Sequence, residues 1–88
     1  PQEAQGHHLS GFAALTLKEY DAAYQDFQTA HRLLPGNPSP LFFMGFAQEA
    51  MGRRPEAARE YARYLERVQQ GKFAQHAAQR LKDWGYAR

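Results

Sequence analysis

Eighty-eight residues with a formal charge of +2, 43% hydrophobic residues and no cysteine make one domain without disulfides or a thiolate metal framework. A chain this short buries only about 60–65% of its unfolded surface, so its core has to come from close helix packing. No run of 18 or more apolar residues occurs, which excludes a transmembrane helix. The chain opens on Pro1 with no charged-then-apolar leader and reads as an excised fragment or mature segment.

Charge is unevenly placed. Residues 1–48 hold two Lys/Arg against four Asp/Glu, and residues 49–88 hold nine against five. A nucleic-acid binder would carry a denser basic surface on a recognised module, so no nucleic-acid partner is expected. Alternating apolar–polar runs are missing and apolar residues recur at helical spacing throughout, which predicts an all-α fold.

The first predicted helix covers residues 3–17, with Leu9, Phe12, Ala13 and Leu17 along one broad stripe. Lys18 and Glu19 make the turn. The second helix covers 20–34, and Ala23, Phe27, Ala30 and Leu34 form its buried face. Three prolines between Pro35 and Pro40, with Gly36 and Asn37, break the chain there. A third helix begins near 38–41 and ends at Met51 and Gly52, where glycine accepts the left-handed conformation of a helix end. Pro55 suits the first turn of a fourth helix, expected to run to about Gln70 and to stop at Gly71. The fifth covers 72–84, with Phe73, Ala77, Leu81 and Trp84 on one side and polar Gln75, Gln79, Lys82 and Asp83 elsewhere.

The chain also echoes itself at an offset of 34 residues. Gly11 maps onto Gly45, Ala13 onto Ala47, Leu17 onto Met51, Ala23 onto Ala57 and Phe27 onto Tyr61. A fixed period of this length marks stacked units that cannot bury their apolar faces alone. The pattern resembles the tetratricopeptide repeat (TPR), a helix–turn–helix with Gly in its first helix and Ala–x3–aromatic in its second. One copy opens at Ala4 and supplies Gly11, Ala23, Phe27, Ala30 and Pro35. The next opens at Pro38 and supplies Leu41, Met44, Gly45, Gly52, Ala57 and Tyr61. His7 and Ser10 depart from the pattern at apolar positions, Tyr64 at a small one, and Gln69 at the closing proline. The resemblance implies a short α-solenoid: repeats at about 4–37 and 38–71, then a capping helix at about 72–85.

The resemblance also implies that the first helix of each repeat lines a concave groove. Carried over residue by residue, the groove positions are Gln5, His8, Phe12 and Leu15, then Ser39, Phe42, Phe46 and Glu49, with Phe73, His76, Arg80 and Asp83 from the fifth helix. Of these, His8, Phe12, Leu15, Phe42, Phe46, Glu49, His76 and Arg80 are the candidate partner-binding residues. Phe42 and Phe43 are adjacent, so one helix face is not expected to bury both. Phe43 is assigned to the neighbouring helix, and Phe42 to the exposed cluster with Phe12 and Phe46. Such a cluster marks an interaction surface for a protein or peptide, a surface for self-association, or a face covered elsewhere in the parent chain. Arg59, Arg63 and Arg67, spaced i, i+4, i+8, form a possible strip for an acidic partner on the outer face of the fourth helix.

Some TPR domains grip acidic C-termini through a clamp of Lys and Asn. Here those places hold His8, Phe12, Phe43 and Ala50, and only Arg80 is basic, which favours an apolar or amphipathic ligand segment. The stretch from Leu41 to Gly52 also looks like the TPR chaperones of type III secretion, which hold apolar translocator segments. Catalysis is not expected: there is no phosphate loop, nucleophile elbow or dinucleotide fingerprint. Glu56 and Glu60 sit beside Arg59 and Arg63 as surface ion pairs rather than a poised acid–base set. His7 and His8 point about 100° apart on a helix, and no metal-ligand spacing includes His31 or His76, so neither metal nor cofactor is expected. The reading is a non-catalytic interaction module of a larger, bacterial assembly or secretion factor, with homo-oligomerisation through the same surface as the alternative.

Overall fold

The computed structural model describes residues 2–86, and among them every regular element is helical. Five helices follow in order: α1 (Gln2–Thr16), α2 (Tyr20–Leu33), α3 (Ser39–Ala50), α4 (Arg54–Leu65) and α5 (Lys72–Asp83). Each packs chiefly on its neighbours in sequence, giving a body of 39 × 25 × 19 Å.

The 34-residue echo is visible down to single hydrogen bonds. In the α1–α2 turn the Glu19 amide donates to the Ala14 carbonyl (2.8 Å) and the Lys18 amide to Leu15 (3.0 Å). In the α3–α4 turn the Arg53 amide donates to Gln48 (2.9 Å) and the Gly52 amide to Glu49 (3.0 Å), each partner displaced by the same interval. Both turns pass through a left-handed residue, Lys18 at φ 61° and Gly52 at φ 78°. The glycine meets that requirement without the steric cost a side chain brings.

Helix pairing rests on a second duplicated contact. A Cβ on Gly11 would lie 2.8 Å from the Phe27 ring, and one on Gly45 would lie 2.7 Å from the Tyr61 ring. Glycine at these two places lets each first helix settle onto the fully buried aromatic of its partner. Pro40 and Pro55 fall in the first turns of α3 and α4, where a missing N–H costs nothing, and Asn37 Oδ1 accepts from the Ser39 amide at 3.1 Å.

Three expectations need correction. α4 ends at Leu65, five residues before Gln70. There the Arg67 and Val68 amides both turn onto the Tyr64 carbonyl at 3.0 Å while Val68 packs on the core, and Gly71 (φ 102°) opens α5. The stripe read on α1 faces outward: Leu9 and Leu17 are 62% and 67% exposed, whereas Ala4, Gly11 and Ala14 are buried. In α2, Ala23, Phe27 and Ala30 are buried as expected, but Leu34 lies past the helix end and is exposed.

Candidate functional site

α3 is the most enclosed element, with Pro40 through Gly45, Ala47 and Gln48 all buried. It meets α2 and α4 along its length, and its aromatic rings also reach α1 and α5. That is why it buries Phe42 and Phe43 together, contrary to the one-face expectation. Phe42 (4% exposed) stacks on Phe73 with centroids 4.6 Å apart and lies beside Tyr61 and Tyr64. Phe43 stacks on Phe27 at 5.1 Å and meets Phe12 edge-on at 4.7 Å. Edge-to-face and offset contacts of this kind each add about 0.5–1.5 kcal/mol beyond area burial.

A cleft of about 380 Å³ opens over these rings, lined by Phe12, Leu15, Phe42, Phe43, Phe46, Lys72, Phe73 and His76. Phe12, Phe46 and Phe73 keep more than a third of their surface exposed at its rim, while Phe42 and Phe43 form its floor. The exposed cluster is therefore Phe12, Phe46 and Phe73, not Phe12, Phe42 and Phe46. His8 lies edge-on to Phe12 (4.8 Å) and Phe27 (5.3 Å), and desolvation there pushes its pKa below the ordinary histidine value. It stands in a separate depression with Gln5, Leu9, Leu34 and Asn37.

Three further groove candidates converge next to the cleft. Glu49 Oε2 accepts from Arg80 Nε at 2.6 Å, and its Oε1 accepts from the Tyr61 hydroxyl at 2.7 Å and lies 3.3 Å from His76 Nε2. Partial burial pushes the Glu49 carboxyl up, but the bonds from Tyr61, Arg80 and His76 together outweigh it and hold it below its ordinary value. Burial, then the carboxylate it serves, drives the Tyr61 hydroxyl far above the usual phenol range. This cluster ties α3, α4 and α5 together, so Glu49 and Arg80 are largely engaged within the fold. The Tyr61 hydroxyl escaped the sequence reading because Tyr61 occupies a core position, and Lys72 because it opens a helix rather than standing at a groove position.

The arginine strip is also partly drawn inward. Arg63 Nη1 bonds Glu60 at 2.8 Å, a carboxylate on a residue only 4% exposed. Arg67 lies beyond the end of α4, not on its outer face, and donates to the Gly36 carbonyl at 3.2 Å. Arg59 is exposed. His7, placed at an apolar repeat position, is half-buried and lies 3.3 Å from Asp26. Among the described residues no three His, Asp or Glu are grouped to hold a metal ion, and no helix is long and apolar enough to cross a membrane.

Duplicated hairpins closed by glycine–aromatic contacts define a helical repeat protein, and the family is the tetratricopeptide repeat, whose model matches residues 14–82. The chain belongs to that family, and its fold is a TPR-like α-solenoid fragment. Cellulose synthase operon protein C of Komagataeibacter xylinus is 40% identical over 60 residues, which cover 68% of this chain and 4% of that protein. The chain thus spans a small part of its bacterial relative's length. No solved structure matches it. TPR repeats are in general non-catalytic protein–protein interaction modules.

Proposed function

We propose that the chain binds an apolar or amphipathic segment of a partner protein in the cleft between α1, α3 and α5, as part of a larger bacterial assembly. One observation carries the reading: Phe12, Phe46 and Phe73 stand exposed around a continuous aromatic floor. Contiguous apolar surface of this kind is costly to leave open to water and is characteristic of interaction sites. The rings are held by packing on rigid helices, so docking costs little ordering entropy on this side. In this reading residues of about 4–37 and 38–71 act as repeats and about 72–85 as a cap. The likeness to a protein named for a cellulose synthase operon makes polymer-synthesis machinery the first setting to examine.

The test is capture from a lysate of the source cells by wild type and by Phe46→Ala/Phe73→Ala. Phe42→Ala is unsuitable, because truncating a buried phenylalanine costs about 3–5 kcal/mol and would confound folding with binding. A protein retained by wild type and lost by the folded double variant supports the cleft. Equal retention by both removes it, and sedimentation showing concentration-dependent self-association that the double variant abolishes points to the oligomeric alternative.

A further inference from the structure

The cleft is apolar but not electrically neutral. Its lining includes Lys72 and no acid. Lys72 is exposed and makes no ion pair among the described residues, unlike Arg63 and Arg80. Glu49, the carboxylate that touches the lining residue His76, is already taken by Tyr61, His76 and Arg80. The first turns of α3 and α5 carry no acid, and Gly71 gives α5 no side-chain cap, so the positive end of that helix adds to the same side. A segment lying along this wall would rest its apolar side on the rings and the Lys72 stem, with the Lys72 ammonium at the edge, where a carboxylate is attracted and a neutral group gains nothing. A basic segment would meet like charge and be rejected.

Building on the cleft as a segment-binding site, we propose that its partner is an amphipathic segment carrying a carboxylate about one helical turn from its apolar anchor, received by Lys72. Phe46 and Phe73 supply the apolar contact, and Lys72 sets which charge is admitted and in which direction the segment lies. Arg80 plays no part in this selection, because its guanidinium is committed to Glu49.

The probe is a fluorescein-labelled amphipathic peptide with Phe and Leu anchors, made in three forms with Glu, Gln or Lys one turn from the anchor. Binding is read by anisotropy at low and high salt, with circular dichroism on each variant. Wild type should bind the Glu form about tenfold tighter than the Lys form at low salt, and the gap should shrink with salt. Lys72→Glu should reverse that order, Lys72→Gln should level it, and Phe46→Ala should weaken all three forms alike. Binding that Phe46→Ala weakens, but that ignores peptide charge and Lys72, overturns this inference and leaves the cleft intact. If no form binds, or if a second copy of the chain occupies the cleft, both readings fall.

Discussion

Ala13 and Ala47 are the same residue at the same place in equivalent helices, yet Ala13 faces solvent and Ala47 is fully enclosed. The contrast runs along the whole face: Leu9 of α1 and Leu17, just beyond it, are exposed, whereas Phe43 of α3 is buried and Met51, just beyond that helix, is partly buried. α3 turns this face onto α2, and among the described residues α1 has no helix in that position. Burial in a repeat protein therefore belongs to the neighbour as much as to the residue. The two turns differ in the opposite sense, because one backbone conformation is filled by a strained Lys18 in the first hairpin and by Gly52 in the second.

The sharpest way to test that difference is to put a charge at both alanines. Ala47→Lys should cost 3 kcal/mol or more, roughly, because the ammonium would be buried without a partner against a closed interface. Ala13→Lys should fall within about 0.5 kcal/mol of wild type. Urea denaturation followed by circular dichroism reads both. Comparable losses at the two sites would mean that the α1 face is covered in solution.

The turns give a smaller effect with a change of sign. Lys18→Gly should stabilise the chain by about 0.5–1 kcal/mol through relief of the left-handed backbone, whereas Gly52→Ala should destabilise it by about 1 kcal/mol. Thermal melts of the two variants suffice. If Lys18→Gly loses stability, its side chain holds something in the first hairpin that outweighs the backbone strain.

All five helices were legible in the sequence because apolar spacing, prolines and glycines agreed with one another at most boundaries. The end of α4 was not, since residues 66–70 are mostly good helix formers and the stop comes from Val68 turning into the core. On the cleft, repeat register located Phe12 and Phe46. It misjudged the Phe42–Phe43 pair, because helical periodicity assumes one buried face and α3 has neighbours on several sides. The outward stripe of α1 failed for the complementary reason: its leucines have the pattern of a buried face without a partner. Register also named Glu49, His76 and Arg80 as groove positions, but only His76 lines the cleft, and nothing in the register showed that Glu49 bonds the other two.

The smallest expected effect separates the halves by pH. His8, in the first hairpin, has its pKa lowered by desolvation from the ordinary 6.5. As pH falls through 6.5 the unfolded chain takes up this proton before the folded one, so stability drops from there down to the depressed folded value. Glu49, in the second hairpin, is also lowered, from 4.5, so its contribution is present above that value and is lost as pH falls through the folded one. Both groups weaken the fold in acid, but in separate windows. Melting temperatures of wild type, His8→Gln and Glu49→Gln between pH 7.5 and 3.5 should show the His8 variant losing part of the decline just below pH 6.5. The Glu49 variant should start less stable, because its amide keeps only one of the two acceptor oxygens that Tyr61 and Arg80 use and loses the charge Arg80 faces, and then lose part of the decline below pH 4.5. An undiminished decline below pH 6.5 in His8→Gln would place that sensitivity on another group, and the ring contacts of His8 would then have no role in the acid response of the first hairpin.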